Sequence, residues 1–162
     1  LAEKADSHLL QPFINGLAVQ IVLMPFNYHR WHSPITGNIQ KVQTVPGYFF
    51  APPSPDQDYA KSFPFLSHVN TRTIIFIEAE NPSIGQVALV FVGLTEVSSC
   101  MPTIEEGQLV KRGEEIGYFA FGGSTCCILL DRKKIAALYI SDDPTLTEKN
   151  VLLVRQNIAI AL

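Results

Sequence analysis

Short apolar runs constrain the fold of this chain more than any other feature of its sequence. They are rich in β-branched and aromatic residues, and most end near a Gly, Pro, Asn or Asp, which is typical of strands rather than helices. The runs are Leu17 to Met24, Arg72 to Ile77, Gln86 to Val92, Thr125 to Leu130 and Ile135 to Ile140. No long apolar stripe with helical spacing is present, and residues 1–10 predict at most a turn or two of helix. We therefore predict a mostly-β domain with few short helices.

Two segments with the same spacing of apolar positions refine this prediction. Residues 106–117 contain the run from Val110 to Ile116, which predicts a turn between two short strands with Gly113 free to take a positive φ. Residues 148–159 repeat the apolar spacing without the glycines. This internal repeat suggests a barrel-sandwich hybrid-like domain built from two similar halves.

A proline-rich segment interrupts the pattern from Ala51 to His68. Proline lacks the N–H that a strand ladder needs, so the four prolines of this segment predict an excursion over the surface. Loops of this length tend to be lids or binding loops, and a disordered insertion is the alternative.

Composition limits the classes of function. The chain has 162 residues, 47% of them apolar, which suffices for one compact domain. A net charge of −3 without a Lys/Arg cluster argues against nucleic acid as the main partner, and no apolar run reaches the ~18 residues of a membrane helix. Three cysteines, with Cys126 next to Cys127, make no disulfide framework and indicate a reducing compartment. Because the chain opens with Leu1, we interpret residues 1–162 as a single domain that lacks its N-terminal part.

Two constellations could carry chemistry, and the standard phosphate-loop, nucleophile-elbow and zinc motifs are absent from the sequence. The first runs from Tyr28 to Pro34 and contains His29, Trp31 and His32. Either histidine could act as a general acid or base, and a capped turn or a solvated pair is the plain alternative. A metal site would need a third ligand at suitable spacing, so we predict none.

The second constellation is Phe119-Ala-Phe-Gly-Gly-Ser-Thr125. Two glycines allow close approach to the Gly123 carbonyl, and the Ser124 hydroxyl can attack it if a base takes the proton. The resulting ester can undergo β-elimination, which cuts the chain and leaves a group that hydrolyses to pyruvoyl. An ordinary Gly-Gly turn that opens a strand is the alternative.

Together these motifs resemble the phosphatidylserine decarboxylase family. The resemblance runs through Tyr28-His-Arg-Trp-His-Ser-Pro34, Val92-Gly-Leu-Thr-Glu-Val97, Gly107 to Gly117 and Phe121-Gly-Gly-Ser-Thr125, and covers about residues 13–140. The Gly-Gly-Ser-Thr form, the Trp in the histidine motif and the proline-rich loop look closer to the soluble fungal-type branch. That branch includes decarboxylases of free aromatic amino acids such as tryptophan.

The resemblance implies a role for each matching residue. Ser124 would be the cleavage nucleophile and then the pyruvoyl prosthetic group, which forms a Schiff base with the substrate amine. Cleavage after Gly123 would give a β chain (1–123) and an α chain (124–162). His32 matches the base for self-cleavage, and His29 matches a histidine of the decarboxylation step.

Further implications concern the surroundings of this site. Trp31, Glu96 and Ser98 are candidates for substrate binding, although packing is the usual role of such a Trp. The family holds its base histidine with an Asp that lies well before it, and no such motif precedes His32 here.

The substrate would be phosphatidylserine or an aromatic L-amino acid. The location would be the cytoplasm or a membrane surface, with peripheral membrane contact through the missing N-terminal part.

Two other classes of function remain open. A phosphotransferase IIA-like phosphocarrier or a biotinyl/lipoyl carrier domain would share the barrel-sandwich design, but neither explains Gly-Gly-Ser-Thr. A family-like protein that only binds its ligand is the other possibility. Self-cleavage separates them, because a carrier domain stays one polypeptide on a denaturing gel.

Overall fold

The computed structural model describes residues 7–24, 26–53, 59–95, 99–120, 124–140, 151–154 and 156–162. Within these ranges the chain forms two α-helices, namely α1 (Ser7–Leu10) and α2 (Tyr59–Val69). The strands of the described ranges are β1 (Leu17–Leu23), β2 (Arg30–His32), β3 (Gly37–Val45), β4 (Arg72–Ala79), β5 (Gln86–Gly93), β6 (Ser99–Pro102), β7 (Leu109–Val110), β8 (Glu115–Ala120), β9 (Ser124–Leu130), β10 (Ile135–Leu138) and β11 (Ala159–Ala161).

The prediction of a mostly-β domain with few short helices is confirmed. The five apolar runs correspond to β1, β4, β5, β9 and β10. Their β-branched and aromatic side chains suit the half-buried surface of a pleated sheet. In the described part of the chain, no helix is both long and apolar enough to cross a membrane.

A six-stranded sheet organises the core, in the order β1-β9-β5-β4-β3-β7 with antiparallel neighbours. Every residue of β5 is buried, as expected for a strand covered on both faces. One face packs against a cluster that includes Trp31, Ile116 and Phe119 of the smaller sheet. The other face packs against Phe63 and Leu66 of α2.

The smaller sheet, in the order β2-β8-β6, joins the large sheet through stacked aromatic rings. The Trp31 ring lies parallel to Phe91 of β5 at a centroid distance of 3.8 Å, and Phe119 of β8 meets the Trp31 ring edge-on at 4.9 Å. Gly117 makes room for the indole, because a Cβ at that position would lie 2.4 Å from Trp31 Cε3. The junction therefore needs both the Trp in the histidine motif and the small residue in β8.

The prediction of a surface excursion from Ala51 to His68 is wrong for residues 59–68. These residues form most of α2, which contains Pro64 in its interior. Phe63 and Leu66 are three apart, so they lie on one side of the helix, and both are 2% exposed against the large sheet. Burial of this face offsets the cost of the proline. Residues 54–58 lie outside the described residues.

The turn predicted around Gly113 is confirmed, and the second segment repeats its hydrogen bonds. Glu114 N–H donates to the Lys111 carbonyl at 3.0 Å, and Gly113 has a φ of 81°. A positive φ at the third residue of a turn is typical of type II turns. In the second segment, Gln156 N–H donates to the Leu153 carbonyl at 3.0 Å. Leu153 N–H donates to Gln156 Oε1 at 2.9 Å, as Lys111 N–H does to Glu114 Oε2 at 2.8 Å.

Candidate active site

Ser124 is the first residue of β9 and lies between two other strands. Its register partners are Leu23 in β1 and Gly93 in β5. Because side chains alternate along a strand, Ser124 faces the same side of the sheet as Cys126 and Ile128. Its side chain is fully buried, and its Oγ has no hydrogen-bond partner among the described residues. A buried hydroxyl without a partner is uncommon and costly.

The neighbouring hydroxyl of Thr125 provides a direct contrast. Thr125 is equally buried, but its Oγ1 donates to the Ile21 carbonyl at 2.8 Å and accepts a hydrogen bond from Gln20 Nε2 at 2.5 Å. These bonds tie the start of β9 to β1 on the opposite side of the strand from Ser124. The Thr125 hydroxyl therefore both donates and accepts a hydrogen bond, whereas the adjacent Ser124 hydroxyl has no described partner.

Three of the predicted site residues cannot be placed. Gly123, Glu96 and Ser98 lie outside the described residues. The cleavage position between residues 123 and 124 and the binding roles of Glu96 and Ser98 therefore stay predictions.

His29 lies just before β2 and packs toward the end of β8. Its Nδ1–H donates to the Asn27 carbonyl at 2.5 Å, and its ring meets the edge of the Phe119 ring at a centroid distance of 6.4 Å. Its carbonyl accepts a hydrogen bond from Phe119 N–H at 3.0 Å. Since Phe119 is the last but one residue of β8, His29 lies beside the C-terminal end of that strand.

His32 lies at the other end of β2 and has partners on both ring nitrogens. Nδ1 is 2.9 Å from the Gly113 carbonyl oxygen, and Nε2 is 2.7 Å from the Tyr28 hydroxyl. The Tyr28 ring stacks on the imidazole at a centroid distance of 5.6 Å and an angle of 15°. A carbonyl can only accept, so Nδ1 carries a proton and Nε2 of the neutral ring accepts from Tyr28.

The two histidines therefore have separate surroundings. In the register of β2 with β8, His32 is opposite Glu115, and Arg30 is opposite Tyr118. The Asp that the resemblance implies for His32 has no counterpart among the described contacts, where the Gly113 carbonyl holds Nδ1 instead.

A large cavity of about 1420 Å³ lies beside this site. Tyr28 and His32 form part of one wall, and Trp31, which is 2% exposed, lines it as well. Trp31 thus combines its packing role with a position at the cavity. The opposite wall consists of apolar residues from β1, β5 and β9, namely Ile21, Leu23, Val87, Leu89, Phe91, Cys126, Ile128 and Leu130.

The adjacent cysteines are structural rather than reactive. Burial raises the pKa of the Cys126 thiol well above its ordinary value, and the thiolate of Cys127 would raise it further. Burial also raises the pKa of Cys127 to about 11. Since the thiolate is the nucleophilic form, neither residue suits covalent chemistry near neutral pH.

Neither Tyr28 nor the Gly113 carbonyl has a role that the sequence predicts. Tyr28 was visible as part of the histidine motif, and its spacing of four residues from His32 allows a contact across a bend. The Gly113 contact joins residues 81 apart in sequence, so no local signal predicts it.

The comparisons with known proteins agree on one family. Residues 2–158 match the family model described as phosphatidylserine decarboxylase. A protein named L-tryptophan decarboxylase from Psilocybe cyanescens is 43% identical over 138 residues, which is 78% of this chain and 31% of that protein. A phosphatidylserine decarboxylase proenzyme from Fusobacterium nucleatum is 32% identical over 130 residues, 80% of this chain and 42% of that protein. The chain spans less than half the length of either relative.

Proposed function

The chain belongs to the phosphatidylserine decarboxylase family, and from this premise we propose that it is the core of a pyruvoyl-dependent carboxy-lyase. The chain would cut itself between Gly123 and Ser124 into a β chain (1–123) and an α chain (124–162). The Ser124 hydroxyl supports this proposal, because it is buried and has no hydrogen-bond partner among the described residues. An ordinary strand-opening serine would gain a partner, as Thr125 does.

The position of Ser124 fits a pyruvoyl group formed from its own side chain. No described hydrogen bond has to break before the Oγ reacts, and the flanking Leu23 and Gly93 offer no competing polar side chain. When present, the pyruvoyl group supplies a carbonyl that accepts the electrons left behind by CO₂. The buried start of β9 keeps water away from this position.

The two histidines divide the proton transfers in this proposal. His32 takes the hydroxyl proton of Ser124 during self-cleavage, and its Nε2 is the basic nitrogen. His29 donates a proton in the decarboxylation step, and its contact with Phe119 holds it at the end of β8.

The substrate is an amino acid or a phospholipid that carries an α-amino acid headgroup. Relatives named for tryptophan and for phosphatidylserine both match the chain. The apolar wall of the cavity suits the apolar part of either molecule. Incubation of the processed protein with free tryptophan and with phosphatidylserine vesicles distinguishes them by which amine forms.

Replacement of Ser124 tests the proposal directly. The complete native protein should yield a fragment that begins at position 124 and has no free amino terminus, as measured by gel and mass spectrometry. Ser124→Ala should stay uncut and form no amine, because it lacks the nucleophile. Thr125→Ser, which keeps a hydroxyl at the next position, is the matched control and should still be cut. An intact native protein, or normal amine formation by Ser124→Ala, would contradict the proposal.

A further inference from the structure

We infer that Tyr28 is a positioning residue that controls when His32 can act as a base. Its hydroxyl occupies the basic nitrogen of the imidazole, and it must leave before that nitrogen can take a proton. This inference rests on the proposed function, in which His32 is the base of self-cleavage, and adds a residue to it. It depends only on the contacts of His32 itself, whichever group supplies the proton.

The hydrogen bonds of His32 leave one basic nitrogen, and Tyr28 occupies it. The Gly113 carbonyl lies 2.9 Å from Nδ1 and can only accept, so Nδ1 carries a proton. The lone pair of the neutral ring is therefore on Nε2, and the Tyr28 hydroxyl lies 2.7 Å from it. Because that nitrogen has a single lone pair, it cannot take a proton from another group while Tyr28 donates to it.

Tyr28 can leave His32 without a rearrangement of the core. Within the described part of the chain, the hydrogen bond and the ring contact of its side chain are both with His32. Tyr28 is about half exposed, and it lies between a turn, in which Asn27 N–H donates to the Met24 carbonyl, and the start of β2. Rotation about χ1 to another staggered position would break both contacts and leave the backbone in place.

The charged groups near His32 have other partners and would not replace Tyr28. Glu115, which is opposite His32 in the register, forms an ion pair with Arg30. The carboxylate of Glu114 accepts a hydrogen bond from Lys111 N–H at 2.8 Å. In the described contacts the imidazole is thus bound by neutral groups, and release of Tyr28 leaves Nε2 free to accept a proton.

The two positions of Tyr28 therefore correspond to an occupied and an available base. In the occupied state, which the structure shows, the hydroxyl donates to Nε2. Tyr28 keeps its own proton when it leaves, so the lone pair of Nε2 is then available. The rate of self-cleavage is proportional to the fraction of molecules in the available state.

Tyr28→Phe tests this inference, because it keeps the stacked ring and removes only the hydroxyl. We expect self-cleavage to become about 5-fold faster, the factor by which a typical net hydrogen bond shifts an equilibrium. Tyr118→Phe, on the neighbouring β8, is the matched control and should be cut at the native rate. Cleavage of Tyr28→Phe at the native rate or more slowly would overturn the inference.

A second measurement does not depend on cleavage. Diethyl pyrocarbonate acylates an unprotonated imidazole nitrogen with a free lone pair, and peptide mass spectrometry identifies the modified histidine. In the uncut Ser124→Ala protein, adding Tyr28→Phe should raise the rate of modification at His32 about 5-fold. The exposed His68 of α2 is the internal reference and should be modified equally in both proteins. Equal rates at His32 would contradict the inference.

The tautomer of His32 gives a third test, which needs no substitution at Tyr28. In the Ser124→Ala protein, ¹⁵N NMR should show the proton of the neutral ring on Nδ1, and a proton on Nε2 instead would refute the inference even if Tyr28→Phe does not fold. Failure of the native protein to cut itself would refute the proposed function. The modification and NMR measurements would still decide whether Tyr28 occupies the basic nitrogen of His32.

Discussion

At the scale of single residues, the backbone conformation of Gly113 determines which ring nitrogen of His32 carries the proton. A φ of 81° is open to glycine at little cost, and in this conformation the Gly113 carbonyl accepts from Nδ1 of the imidazole. Gly113 N–H also donates to the Ser33 carbonyl at 2.8 Å, so a second hydrogen bond joins the turn to the residue after β2. The turn between β7 and β8 therefore determines that Nε2 is the basic nitrogen of His32.

The two histidines should respond differently to replacement. His32→Ala should leave the protein uncut because no base takes the Ser124 proton. His29→Ala should be cut but should form the amine at least about 100-fold more slowly. The measurements are the fragment pattern on a gel and the rate of amine formation.

His68→Ala is the control for these variants, since His68 lies in the last turn of α2 on the other face of the large sheet. It should match the native protein in both measurements. An uncut His29→Ala protein together with a cut His32→Ala protein would contradict this assignment and would mean that the two roles are exchanged.

At the scale of elements, β9 holds Ser124, the proposed cleavage residue, between two partner strands. It pairs with β1 along one edge and β5 along the other, over all seven of its residues. A serine at the start of an edge strand would be hydrated, whereas this one is enclosed by Leu23 and Gly93. The position of β9 inside the sheet, second in the order of six strands, thus contributes to the burial of Ser124.

Asn70 connects the end of α2 to this region. It is fully buried, and its Nδ2 donates to the carbonyls of Phe50 and Gly93, both at 2.9 Å. Its Oδ1 accepts from Phe50 N–H at 3.1 Å. The side chain thereby joins the segment after β3 to the end of β5, one strand away from Ser124.

Asn70→Ala should lower the free energy of unfolding by about 3 kcal/mol, because the buried Gly93 carbonyl and the partly buried backbone of Phe50 lose their partners. Urea denaturation measures this change. Asn38→Ala, at an exposed position of β3, is the matched control and should change stability by less than about 0.5 kcal/mol. Equal effects of the two substitutions would show that the Asn70 hydrogen bonds contribute nothing net.

At the scale of the whole molecule, stability should fall in alkaline solution because of the buried thiols. Burial raises the pKa of Cys100 and Cys127 from 9.0 to about 11, and hydrogen bonds from Thr73 and Gly93 moderate the shift at Cys100. Between pH 9 and 11 the unfolded chain loses these protons while the folded chain keeps them. The folded state therefore loses stability as the pH rises through this window.

Urea denaturation at a series of pH values checks this prediction. Cys127→Val, which removes the thiol and suits a half-buried strand position, should lose less stability between pH 9 and 11 than the native protein does. Ser83→Ala, at an exposed turn, provides the control and should follow the native curve. An unchanged slope in Cys127→Val would mean that the thiol of Cys127 does not contribute.

The strands and the family were open to prediction because their signals are local. β-Branched and aromatic runs identified β1, β4, β5, β9 and β10, and the Gly in Lys111-Arg-Gly113 predicted the turn. The order of the His and Gly-Gly-Ser-Thr motifs was enough to indicate the family. In each case a few neighbouring residues carry the whole signal.

Only the tertiary structure decided how these parts meet. The proline-rich stretch becomes α2 because Phe63 and Leu66 find an apolar sheet to cover, which its own composition does not reveal. Likewise, His29 and His32 are three residues apart, yet one packs on Phe119 and the other binds Gly113 and Tyr28. Such contacts join residues far apart in sequence, and their geometry depends on the register of paired strands rather than on the spacing of residues within one segment.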